Sequence, residues 1–290
     1  MGTVHLVARA EAGWLDLGDP QTAGRVWRAL RRGFPEALAA VLMPDHLHLV
    51  TPGTPVAGQQ EIGRVLGTVA ARVAGARGQD EDASEAWAAI TPGDPLQGLL
   101  LVRTVRYLSL NPCRGGLAND PLAWRWSTHR DVVGAVADPW VTAERLAPAL
   151  GEPEGGFAAS FHRYVSSDYS VEPAGTPMPS PAPVMGREPM KRLSIAVAEA
   201  MRVEVGELPL HPRARRVLAV LASRQGRLRD GELGRACGVS ARAVRRMFAS
   251  PRIRPAALAA AILCLGDDRL TFPVDPQAPL RAIQTDRQAG

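Results

Sequence analysis

Cysteine is scarce in this sequence. Cys113, Cys237 and Cys264 are far apart and odd in number, which excludes a disulfide framework and a cysteine-based zinc motif. Each reads as a small buried apolar residue. Long apolar runs are missing as well: the longest, around Ala256–Leu265, is about half of the roughly 20 residues that a membrane-spanning helix needs. No basic flank followed by an apolar stretch opens the chain, so no signal peptide, no membrane partner and a cytoplasmic location are expected. Tyrosine occurs only as Tyr107, Tyr164 and Tyr169, and lysine is nearly absent, since 33 of the 34 cationic residues are arginine.

What is present is an uneven distribution of charge. The formal net charge is +5 over 290 residues. Residues 187–255 hold 16 cationic against 6 acidic side chains, whereas residues 1–186 hold 15 against 19. A compositional bias toward arginine explains the choice of arginine over lysine. It does not explain the clustering, and a basic block of this kind suits a phosphate-backbone partner. A proline-rich stretch, with Pro173, Pro177, Pro179, Pro181, Pro183 and Pro189, has too few large apolar residues to build a core. The expected organisation is therefore a first domain over 1–169, a linker over 170–189, a helical domain over 190–272 and a loose polar tail over 273–290.

In the first domain Val4–Ala8 reads as a strand and Pro20–Phe34 as a helix with Val26, Trp27, Leu30 and Phe34 on one face. Ala37–Met43 and His46–Thr51 are apolar runs split by Pro44-Asp45, the pattern of a β-hairpin. Gly58–Ala76 reads as a second helix and Asp80–Glu85 as an acidic loop. Leu96–Leu110 reads as a third helix, ended by Asn111-Pro112. The order β, α, β, β, α, α suits an α+β fold, a small antiparallel sheet with helices on one face.

His46 and His48 share one face of a strand, with Leu47 on the other, so two imidazoles project together as half of a divalent-metal site. A His-x-His alone does not specify such a site. Tyr107 and Asn111 are four apart on a helix, hence about one turn apart on one face. Asn111 supplies either a carbonyl oxygen to a metal or a cap to the helix. His5, His129, His162 and His211 have no ligand spacing and read as structural or exposed.

Three segments together, Met43-Pro44-Asp45-His46-Leu47-His48-Leu49, then Arg106-Tyr107-Leu108-Ser109-Leu110-Asn111-Pro112-Cys113-Arg114-Gly115-Gly116-Leu117, then Trp124-Arg125-Trp126-Ser127-Thr128-His129-Arg130, resemble the REP-associated tyrosine transposases, within the wider group of HUH single-strand transposases. Val4–Arg9 is similar to that family's first strand, and the resemblance covers roughly residues 1–165. It implies a ferredoxin-like nuclease domain that cleaves and rejoins single-stranded DNA beside a hairpin, leaving a 5′-phosphotyrosine and a free 3′-hydroxyl. His46, His48 and Asn111 are then metal ligands, for Mg²⁺ or Mn²⁺, and Tyr107 is the nucleophile. A phenol with an ordinary pKa near 10 needs help to attack at neutral pH, and a divalent cation on the scissile phosphate supplies it. Arg106 and Arg114 are placed to grip phosphates, a solvated helix face being the alternative for Arg106. Trp126 is placed to stack on unpaired bases, with a core role open for it and for Trp124. The sequence departs from the family pattern at Asp45, where Asn is usual, at Cys113, and in its acidic loop.

In the second domain Pro212–Gln225 reads as a helix, followed by Asp230–Cys237, a turn at Gly238-Val239-Ser240, and Ala241–Ala249. A short helix, a glycine-containing turn and an N-capping serine form a helix-turn-helix pattern, similar to the DNA-binding domain of replication initiators. Arg242, Arg245 and Arg246 line its second helix, with Val244 and Phe248 facing inward. The expected function is a transposase-like nuclease with a DNA-binding appendage, as monomer or dimer. The alternative is a domesticated DNA-binding regulator that keeps the fold without the chemistry.

Overall fold

The computed structural model describes residues 2–11, 14–77, 86–167, 175–182, 188–226, 231–249 and 253–271. The acidic loop Asp80–Glu85, the tail 273–290 and parts of the stretch 170–189 lie outside the described residues. The chain divides into two compact units. One takes in Met1–His129 and Trp140–Thr176, the other Arg130–Pro139 and Pro177–Pro273.

The first unit opens with β1 (Thr3–Ala10), α1 (Pro20–Gly33), β2 (Ala39–Leu42), β3 (His46–Pro52), α2 (Pro55–Arg77), β4 (Trp87–Leu96) and α3 (Gly98–Arg114). The sheet order is β2-β3-β1-β4 and every pairing is antiparallel. A βαββαβ chain in this order is the ferredoxin-like arrangement. α1 starts where Asp19 accepts the Thr22 N–H and Pro20 occupies the first turn.

Two features differ from the sequence reading. The strand β4 was not expected, because Pro92, Gly93, Asp94 and Pro95 are strand breakers. It survives as an edge strand, where a missing N–H costs least, and its register against β1 shifts between Val4 and Leu6 opposite that stretch. The third helix does not stop at Asn111-Pro112 but runs to Arg114. Pro112 falls in its last turn, where few backbone bonds remain to be lost, and the Gly115 N–H closes the end on the Asn111 carbonyl at 2.9 Å.

Strand alternation separates the two faces of the sheet. Val4, Leu6 and Ala8 of β1 are fully buried beside Leu49 and Leu47 of β3, in register Leu6↔Leu49 and Ala8↔Leu47. α2 covers this face: a Cβ on Gly58 would sit 3.1 Å from Leu6. α1 packs tightly on α2, since a Cβ on Gly33 would come 2.5 Å from Val65. The two ferredoxin-like helices thus share one face, as expected. α3 lies against the opposite face, which carries His5, His48 and Val50. The free edge of β2 is covered by residues 126–128, through Leu42 N–H to Trp126 O and Thr128 N–H to Ala40 O, both 3.0 Å.

Later in the chain come α4 (His129–Val132), α5 (Ala143–Ala149) and α6 (Phe157–Ser166), then α7 (Met190–Met201), α8 (Pro212–Arg224), α9 (Gly231–Cys237), α10 (Ala241–Ala249), α11 (Pro255–Gly266) and α12 (Asp268–Thr271). Around α7 the second unit holds two buried ion pairs. Arg130, with no exposed surface, donates to Glu199 at 3.1 Å and to the Leu270 carbonyl at 2.8 Å, and Arg202 meets Asp131 at 2.7 Å. Among the described residues no helix is long and apolar enough to cross a membrane.

Candidate functional site

His48 is the centre of the site. It stands on β3 facing α3, is only 7% exposed, and both ring nitrogens are engaged. Nδ1 lies 3.0 Å from His5 Nε2, and Nε2 lies 3.0 Å from Asn111 Nδ2. Burial, reinforced by the charges of His46, His5 and Arg9 and opposed by Asp45, pushes its pKa down to about 3. The ring is therefore neutral, the form that ligates metals. His5 is lowered too, by burial.

His46 is two residues away on the same face, its ring 4.9 Å from that of His48 and perpendicular to it. Asp45 holds its Nδ1 at 2.5 Å and simultaneously receives Arg9 at 2.6 Å. The hydrogen bond from His46 is the main cause of a lowered Asp45 pKa. A carboxylate on Nδ1 orients an imidazole with Nε2 available, the usual support for a metal-bound histidine. Asp45 is thus paired with Arg9 and tied to His46.

α3 contributes Tyr107 and Asn111 one turn apart. Asn111 is 8% exposed and turned onto His48, whereas Tyr107 is 41% exposed with its ring 5.8 Å from that of His48, edge to face. Arg114 lies over the Tyr107 ring at 5.1 Å. Cys113 between them is chemically quiet, its thiol pushed up to about 12 mainly by burial.

Imidazole nitrogens and an amide carbonyl oxygen are groups that could hold a divalent cation. The Asn111 amide stands 3.0 Å from His48 Nε2, and a half-turn of the amide would bring its carbonyl oxygen forward. Among the described residues no three His, Cys, Asp or Glu side chains form a metal cage. The protein's donors would be His46, His48 and Asn111.

Not every residue singled out in the sequence joins this group. Arg106 turns to α6, stacking over Tyr164 at 4.3 Å and reaching Ser167 at 3.3 Å. Trp126 is half-buried beside Trp27 of α1, with ring centroids 5.9 Å apart, on the side of the sheet away from His48. Trp124 is core, its indole N–H on the Leu42 carbonyl at 2.9 Å. His129 and His162 pair with each other at 3.0 Å, both buried.

His5 is the residue that sequence reasoning missed. The alternation of Val4, Leu6 and Ala8 already puts His5 on the polar face of its strand. Its nearness to His48 needed the β1–β3 pairing, in which His48 stands opposite Val7.

In the second unit α9 and α10 are joined by a turn in which Gly238 takes φ +62° and Ser240 Oγ accepts the Ala243 N–H at 3.3 Å. A Cβ at Gly234 would sit 3.0 Å from the Val239 carbonyl, a tight contact that glycine avoids. Val244 is buried, and Arg242, Arg245 and Arg246 are exposed on α10. The side chain of Phe248 lies outside the described residues.

No family model matches the chain, and no curated protein matches it. A solved structure described as a REP-associated tyrosine transposase bound to a REP hairpin aligns with 45% of this chain and 79% of its own, at 22% identity and a TM-score of 0.33.

Proposed function

We propose that this chain is a tyrosine nuclease and strand transferase acting on single-stranded DNA beside a hairpin, with the helix-turn-helix of its second unit as a further DNA contact. The observation that carries the reading is the pairing of an exposed Tyr107 with a buried, neutral His48–Asn111 pair one helical turn away. His46, His48 and Asn111 would hold Mg²⁺ or Mn²⁺, which when bound polarises the scissile phosphate. Tyr107 Oη attacks phosphorus and releases its proton to solvent. The P–O3′ bond breaks, the 3′-oxygen takes up a proton, and the 5′-phosphate stays on the tyrosine. Arg114, over the phenol ring, is placed to meet the charge on the phosphate. Rejoining reverses the exchange without an external energy source, because the phosphotyrosine ester replaces the diester bond.

The regulator reading shares the second unit. Part of its motive, an anion at Asp45, is answered by Arg9 and His46. The two separate on one assay. A hairpin oligonucleotide labelled at its 3′ end is incubated with Mn²⁺ and run on a denaturing gel. Wild type is expected to retain label on the protein, and Tyr107→Phe to bind the DNA without doing so. Adducts from the Phe variant would remove Tyr107 from the mechanism.

A further inference from the structure

The first 186 residues carry more acid than base, yet the two helices on the outer face of the sheet do not. α1 and α2 together hold seven arginines and one acid, Glu61. Glu61 is engaged with Arg64, three residues on, at 2.5 Å. Four of the other six arginines line an open groove of about 390 Å³ between the helices. Arg25, Arg28 and Arg32 of α1 line it on one side and Arg72 of α2 on the other, over a floor that includes Ala29 and Val69, and none of its lining residues is acidic. All four arginines are exposed.

Positions 25, 28 and 32 follow the i, i+3, i+7 stripe of a helix, which spaces the guanidinium stems about 4.5–6 Å apart along the axis. Apolar and small residues beneath them let an anion approach both helices. A row of planar forks that accept no hydrogen bond and donate in pairs fits phosphate oxygens. A solvated face has no need of four like charges gathered on two facing helices, since their mutual repulsion is unfavourable.

We propose that this groove is a second nucleic-acid site, taking the phosphate backbone of the double-stranded part of the DNA on which the Tyr107 site acts. The inference rests on the nuclease reading for the identity of the DNA and on the groove itself for the contact. The groove lies on the α1–α2 side of the sheet and His48 on the α3 side, so the site adds affinity without touching the reacting atoms.

The test is the salt dependence of binding. The full chain, the quadruple variant Arg25→Ala/Arg28→Ala/Arg32→Ala/Arg72→Ala, and Arg64→Ala are titrated onto a fluorescent hairpin oligonucleotide in EDTA at several salt concentrations. Each lost phosphate contact removes about 0.9 from the slope of log K against log salt. The quadruple variant is expected to lose about 2–4 from the slope and at least about tenfold in affinity at 100 mM salt. Arg64→Ala, whose charge is already spent on Glu61, should stay within about twofold. An unchanged slope, or an equal loss for Arg64→Ala, overturns the proposal, as does failure of wild type to bind hairpin DNA at low salt. A groove built for an acidic protein would give the unchanged slope. Matching thermal melts by circular dichroism show that the variants fold. The nuclease reading is judged separately: at saturating DNA the quadruple variant should still form Tyr107 adducts, and adducts from Tyr107→Phe would sink that reading while the salt slopes still decide the groove.

Discussion

Protonating His48 should destabilise the first unit, and the size of the effect follows from its surroundings. Above pH 6.5 the ring is neutral in both folded and unfolded chains, so its contribution to stability is at its full value. Between pH 6.5 and about 3 only the unfolded chain takes up the proton, because burial holds the folded pKa near 3. Stability then falls by about 1.4 kcal/mol for each pH unit below 6.5. At pH 5 this amounts to about 2 kcal/mol, a large part of the margin of a typical domain. The comparison is wild type against His48→Gln in EDTA, unfolded in urea at pH 8 and pH 5. All six tryptophans lie between Trp14 and Trp140, within the first unit, so their fluorescence reports that unit alone. His5, also pushed down by burial, is present in both proteins. Wild type should lose about 2 kcal/mol more than the variant between the two pH values. Equal losses would mean that His48 titrates freely in the folded state, and the account of the site would fail with it.

Two further outcomes follow from buried contacts. If Nε2 of His48 binds a cation, its Nδ1–H must donate to His5, so His5→Ala should weaken Mn²⁺ binding about 10–100-fold by calorimetry; an unchanged affinity would make His5 mere packing. In the second unit Glu199→Ala leaves the buried Arg130 without its carboxylate partner, at a cost of about 3–5 kcal/mol. Labelling of the buried Cys264 thiol in urea reads that loss locally, and a variant that protects Cys264 as well as wild type would contradict the role assigned to the pair.

The elements with a clean period were legible. β1, α1, the β2–β3 hairpin and α2 stand within a few residues of their expected places, because each alternates or repeats its apolar positions. β4 was not legible: its prolines and glycine read as loop, and only pairing with β1 makes it a strand. The end of α3 was misplaced because Pro112 is a stop signal in isolation and is tolerated in a last turn. Arg106 and Trp126 share sequence motifs with residues of the His48 group but do not join it. Side-chain direction, which those motifs do not encode, takes Arg106 to Tyr164 and Trp126 to Trp27.

By itself the sequence determined the chemistry available to this protein: a His-x-His on one strand face, a tyrosine and an asparagine one helical turn apart, and arginines gathered in short blocks. These are properties of local period and composition, which a chain carries before it folds. Tertiary structure decided which of those groups meet. The antiparallel pairing of β1 with β3 brings His5 to His48, the placement of α3 on the second face of the sheet brings Asn111 onto the same ring, and the close crossing of α1 with α2 gathers four arginines into one groove. Strand register and the choice of sheet face are set by burial of the whole apolar set at once, and no local stretch of residues contains that information.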